Sequence, residues 1–327
     1  MAIENDTKPT QFRDERIDSI KFFLIVLVIA GHMFSREPFK AHESCKVLVN
    51  WIYMFHMPLF VFISGNFSRK KDNKSYFLGC LKLIEPLVLF HILMVGIEYY
   101  LNGTLSITQI LTPWWVLWYL LSLLYWRTIL QFIPNRILKN AKLVILITVV
   151  IGLLAGFLPF DRFLSLQRTC SFLPFFFLGY YMKGKNLYLP SRYKPYCGIF
   201  LMLLFIVPIF FSQYLGNLNQ AYPYVSVFEV FSRMFIYGIS IPMSIAFMNV
   251  CPNKPCFARQ GKFTMQYYIY HALIIFALMF IVKRFGLPTN FISASIFTVL
   301  ITITIWGMSY MPGFDKFTNP SHFFKKG

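Results

Sequence analysis

Apolar residues run through this chain in blocks of about twenty, separated by short polar or basic stretches. A helix of about 20 residues spans roughly 30 Å, the thickness of a bilayer's hydrocarbon layer, so each block predicts a membrane-crossing helix. Ten are expected, at 17–34, 47–67, 76–98, 113–133, 143–159, 163–182, 195–214, 227–250, 263–282 and 290–310. The expected fold is an all-α integral membrane bundle, a single domain over 1–327 with short tails at 1–16 and 311–327. No hydrophilic stretch is long enough for a second domain, and no internal repeat is visible.

An even number of crossings places both ends on one side, and charge selects that side. The loops sharing a face with the termini hold 20 of the 31 Lys and Arg residues, the opposite loops hold 7, and four (Lys21, Lys82, Arg127, Arg233) lie inside spans. Cytoplasmic loops carry the excess of cations, so both termini are expected in the cytoplasm. The first span has a basic residue ahead of it but also Asp14, Glu15 and Asp18, and no small-residue cleavage site, so it is expected to remain as a span rather than be removed as a signal peptide.

Composition sharpens this picture. With 57% hydrophobic and 13% charged residues, where soluble domains carry about 25% charged, the chain is not an ordinary soluble enzyme. Its net charge of +18 would suit a nucleic-acid partner, but the cations sit in clusters such as Arg69, Lys70, Lys71 and Lys74 between apolar runs, which excludes that reading. Membrane lipids are the expected surroundings. Six scattered cysteines, without histidines at metal-site spacing, give no disulfide framework and no expected metal.

Ionisable groups inside spans are expensive, so each is a candidate for function. Lys21 and His32 are eleven residues apart, which is three helical turns plus about 20°, so they share a face about 16 Å apart along the axis, with Asp18 on the same stripe. Lys21 either snorkels to the interface or serves the site. His56, His91 and His271 fall in the second, third and ninth spans; each is either a helix-to-helix hydrogen bond or part of a polar interior that handles protons. Lys82 and Arg127 lie toward the cytoplasm like Lys21 and with it would form a basic mouth, the alternative again being snorkelling. The apolar run Cys170–Met182 is too short to cross, so its helix must start earlier and draw Arg168 in, as an acceptor ligand or a headgroup anchor. Glu229 and Arg233 at i, i+4 read as a structural ion pair. Pro113, Trp114, Trp115, Trp118 and Tyr119 open the fourth span; an interfacial belt accounts for Trp114 and Trp115, and a sugar-stacking platform is the sharper alternative for the group.

Several of these residues fall in an ordered set that resembles the membrane-bound acyltransferase 3 family, and within it the fucose 4-O-acetylase-like proteins. The set runs from Arg16-Ile-Asp18-Ser-Ile-Lys21 to Gly31-His32, then Phe55-His56-Met57-Pro58-Leu59-Phe60, Ile63-Ser64-Gly65 and Leu117-Trp118-Tyr119-Leu120. It continues with Arg168, Leu173-Pro174-Phe175-Phe176-Phe177-Leu178-Gly179-Tyr180 and Tyr268-Ile269-Tyr270-His271. The resemblance implies transfer of an acetyl group from cytoplasmic acetyl-CoA to a carbohydrate hydroxyl of a cell-surface or secreted polysaccharide, in a bacterial plasma or inner membrane. It implies His32 as catalytic histidine and Lys21 as its motif cation. Some members carry an Arg-x-x-Arg pair after the second span, where this chain has Arg69-Lys70-Lys71 and later Lys82, which leaves the donor's contact open.

The residue types suit that chemistry. A neutral imidazole can take the proton of a sugar hydroxyl as it attacks a thioester. The expected catalytic stripe is Asp18, Lys21 and His32, although Asp18 is about 21 Å from His32 by axial rise, too far to orient its ring. Direct transfer and an acyl-histidine intermediate are both open. Donor phosphates would meet Lys21, Lys82 and Arg69, since no glycine-rich cradle is present. The acceptor would meet His56, Arg168, His271 and Trp118. The rival reading is a polytopic transporter or exporter of a glycan or small solute without acyl chemistry.

Overall fold

The structure, a computed structural model, describes residues 14–104, 106–158, 163–211, 223–314 and 318. Lys8, Arg13 and Arg162, which carry part of the loop charge, and most of both tails lie outside the described residues. All regular structure among the described residues is helical.

Helix α1 (Glu15–Phe34) begins where the Asp14 carboxylate accepts the Arg16 and Ile17 amides, at 2.9 and 3.2 Å, an N-cap that supplies two donors with a partner. The second apolar block is two helices, α2 (Glu43–Tyr53) and α3 (His56–Asn66). The break lies at Pro58, which lacks the amide that would bond the Met54 carbonyl and sits in the first turn of α3. Water is absent from a membrane interior, so freed carbonyls must find protein donors. The Ser240 hydroxyl reaches Met54 O, and His56 Nδ1 donates to Ile52 O at 2.8 Å.

Helix α4 (Asn73–Asn102) follows, stopped by Gly103 at φ +70°. A short piece, α5 (Ile107–Leu111), leads through a tight turn at Trp115–Leu117 into α6 (Trp118–Phe132). Then come α7 (Asn135–Leu138), α8 (Ala141–Leu154) and α9 (Leu166–Tyr181). The remaining elements are α10 (Lys194–Leu203), α11 (Ile206–Phe211), α12 (Glu229–Val250), α13 (Pro255–Gly261), α14 (Thr264–Phe285) and α15 (Phe291–Met308).

Every expected span meets a helix, but not every one is long. Among the described residues, seven stretches are long and apolar enough to cross a membrane: α1, α2 with α3, α4, the α10–α11 region, α12, α14 and α15. The other three, α6, α8 and α9, have 15, 14 and 16 residues. Within the seven, 67% of the apolar window of α1 and 72% of that of α2–α3 is buried, against 22% to 39% for the rest. The helices carrying His32 and His56 therefore form the middle of the bundle, and α1 packs on α2, α3, α13, α14 and α15.

Two contacts lock this middle. A Cβ built at Gly65 would collide with the backbone of Phe176, and one at Gly179 with the backbone of Phe62, so α3 and α9 cross backbone against backbone, the close approach that small residues permit in membranes. A buried polar knot joins α6 to α9: Ser122 Oγ lies 2.8 Å from Thr169 Oγ1, and Trp126 Nε1 donates to Thr169 O at 2.8 Å. The expected Glu229–Arg233 ion pair is not formed. Glu229 instead accepts the Val225 amide at 3.1 Å, and Arg233 donates to Gly152 O at 3.1 Å with its guanidinium over Tyr224; the carbonyl across the interface offers the buried guanidinium a partner without a second desolvated charge.

Candidate functional site

His32 lies in the last turn of α1, beside Gly31, where the bare backbone leaves room for the Tyr53 ring. The Tyr53 hydroxyl donates to Gly31 O at 3.1 Å. Around His32 the bundle assembles two more histidines. His271 of α14 stacks on it with ring centroids 5.4 Å apart and an interplanar angle of 17°. His56, at the start of α3, stacks on Tyr53 at 5.1 Å. His271, His56, Arg36 and Arg168 all lie within electrostatic reach of the His32 ring.

The three imidazoles are held differently. His56 Nδ1 meets Ile52 O at 2.8 Å, and His271 Nδ1 meets Tyr267 O at 2.8 Å. A carbonyl only accepts, so each Nδ1 carries the hydrogen and each Nε2 is left as acceptor. In His271 that Nε2 is buried and has no hydrogen-bond partner. His32 has neither ring nitrogen engaged by a hydrogen bond to another described residue, which leaves both uncommitted.

Trp115 closes one wall. Its indole meets His32 edge-on at 4.8 Å and carries the Arg36 guanidinium on its face at 3.8 Å. Trp115 has φ +31°, a backbone conformation costly for a bulky residue and tolerated where surroundings hold it. The holding is visible. Trp114 N donates to His91 Nδ1 at 3.2 Å, His91 Nε2 donates to Ile110 O at 2.8 Å, Trp114 Nε1 donates to Glu98 Oε1 at 2.7 Å, and the Tyr268 hydroxyl bonds Val116 O. His91, expected beside the other histidines, thus spends both nitrogens fastening this loop to α4 and stands apart from the site.

Arg168 enters in the first turn of α9, behind Leu164 at φ +46° and Ser165 at φ +57°. Its guanidinium lies 5.1 Å over Trp118. Trp118 is buried, one face stacked on Phe172 at 5.5 Å, so it seats Arg168 rather than presenting an open platform. Trp115 belongs to the wall of the site instead of a lipid-facing belt.

The second group lies toward the other end of α1. Asp18, only 2% exposed, binds Lys21 Nζ at 2.6 Å, and that ammonium sits 5.6 Å over the Phe67 ring. Phe67 leads directly to Arg69, which is exposed. Lys82 is not brought to either group: it is exposed on α4 along the face that also exposes Leu78, Leu81 and Leu89, the position from which a lysine snorkels. Arg127 is partly buried within electrostatic reach of Tyr119 and Cys80.

Among the described residues no cluster of His, Cys, Asp and Glu is fit to hold a metal. Arg36 is not among the residues that the sequence marks for the site; its one sequence signal is the four-residue spacing from His32, which puts both on one helical face if α1 is extended by half a turn. A family model described as an acyltransferase domain matches residues 14–310. No curated protein and no solved structure matches the chain.

Proposed function

We propose, for a chain that belongs to the acyltransferase 3 family, the following specific reaction. The protein is an integral membrane acyltransferase; on our reading it takes acetyl from cytoplasmic acetyl-CoA and places it on a sugar hydroxyl of a surface or secreted polysaccharide, in a bacterial plasma or inner membrane. The observation that carries this is His32: a histidine walled by Trp115 and His271 in a helical interior, with both ring nitrogens uncommitted.

In the proposed step the acceptor oxygen attacks the thioester carbonyl while His32 takes the hydroxyl proton. The C–O bond forms, the C–S bond breaks, and the departing thiolate recovers the proton from the imidazolium. His271 and His56, each with Nε2 as acceptor, offer places for further sugar hydroxyls. The donor's phosphates are read as approaching the Lys21 and Arg69 end, about 16 Å away by helical rise, a distance that a long pantetheine arm spans. Lys82 has no part in this reading, because its face of α4 points away.

The test is free-CoA release from labelled acetyl-CoA by purified protein, with and without added polysaccharide. His32→Ala is expected to fold normally and lose at least about 100-fold in rate, the lower range for losing a general base. Transfer at the original rate by a normally folded His32→Ala protein would overturn the assignment, and uptake of unmodified solute without CoA release would favour a carrier.

A further inference from the structure

Among the buried polar atoms near His32 that no described residue satisfies, two are of opposite kind. Arg36 Nε is a buried donor with no acceptor, and His271 Nε2 is a buried acceptor with no donor. Both residues border Trp115: the Arg36 guanidinium lies 3.8 Å from the indole centroid, and the His271 ring centroid 6.4 Å from it. Leaving buried polar groups unmatched is costly, and a ligand that supplies both partners removes the cost at once. The complement of this pair is a molecule with an oxyanion close to a hydroxyl.

The charges agree. Arg36 acts electrostatically on His32 and is seated on Trp115, which holds the guanidinium plane without neutralising it. The acid within reach of Arg36 is Glu98, whose carboxylate is already taken by Trp114 Nε1 at 2.7 Å. In a water-poor setting a planar guanidinium favours carboxylate or phosphate.

Resting on the acyltransferase reading, we propose that the acceptor is an acidic sugar. Its oxyanion binds Arg36, assisted by Arg168; a neighbouring hydroxyl donates to His271 Nε2; and the hydroxyl to be acylated faces His32. Arg36 is the specificity-determining contact. The same chemistry, an oxyanion beside a hydroxyl, also occurs in the phosphatidylglycerol headgroup, and the experiment separates the two sources.

Binding is measured without donor, so its outcome is independent of whether acyl transfer is detected. Purified protein in phosphatidylcholine nanodiscs is titrated with glucuronate, with its neutral isostere glucuronamide and with glucose, using tryptophan fluorescence as the readout. Wild type is expected to bind glucuronate at least tenfold more tightly than either neutral sugar. Arg36→Gln is expected to abolish that preference, and Arg36→Lys to retain part of it. Equal binding of glucuronate and glucuronamide by the wild type overturns the proposal without reliance on any variant. An unchanged preference in Arg36→Gln overturns the role of Arg36. No response to glucuronate, with an Arg36-dependent response when phosphatidylglycerol replaces phosphatidylcholine, assigns the site to a lipid headgroup and overturns the sugar acceptor.

Discussion

Lys21 is restricted by its surroundings. Asp18 holds its ammonium at 2.6 Å from an almost fully buried position, so the pair presents a fixed donor rather than a mobile one. A Lys21→Met variant removes the ammonium while keeping the side chain's length. If Lys21 serves donor binding, its KM for acetyl-CoA rises about tenfold with kcat little changed, the signature of lost ground-state binding; a fall in kcat at constant KM would place Lys21 in the chemistry instead. The eleven-residue spacing from Lys21 to His32 was legible because both lie on one helix with a fixed period. The partnership of His32 with Trp115 and Arg36 was not, because it depends on a loop far along the chain, held by His91 and Glu98. A tryptophan before a span looks the same in sequence whether it meets lipid or a buried imidazole.

Helices α3 and α9 carry this reasoning to the level of elements. Their crossing at Gly65 and Gly179 has carbonyls where any Cβ would stand, and backbone cannot move aside as a flexible side chain can. Gly65→Ala or Gly179→Ala is expected to cost about 3 kcal/mol or more, the upper part of the overpacking range, seen as a lower melting temperature in detergent or loss of folded protein. Gly198→Ala and Gly238→Ala, where a Cβ meets nothing within 4 Å, are expected to be neutral or slightly stabilising, since alanine suits a helix better than glycine. Equal effects at all four positions would contradict the packing account. The apolar blocks made the helices legible, but not their breaks. The interruption between α2 and α3 needs both Pro58 and a distant Ser240 to satisfy the exposed carbonyl, and sequence shows only the first. For the same reason the Glu229–Arg233 spacing misled: Gly152, on another helix, was the available partner.

At the scale of the whole molecule, α1 is surrounded and the outer helices are sparsely buried, as expected when lipid replaces a protein shell. The orientation read from loop charges predicts that Cys256, exposed at the start of α13, faces the cytoplasm. A membrane-impermeant maleimide is therefore expected to label inverted vesicles and spare intact cells, and labelling of intact cells would reverse the orientation. The background is low. Of the other thiols, Cys170 is partly buried and the rest are buried, and burial pushes Cys251, just beyond α12, up to about 12, which keeps it protonated and unreactive at neutral pH.

The contact between Gly65 and Gly179 also constrains how the molecule breathes. With no layer of side chains between them to slide, α3 and α9 travel together as one rigid keel. Any widening beside His32 then falls to other elements, among them the segment 106–117, which is moored to α4 through the ring of one histidine and the carboxylate of one glutamate.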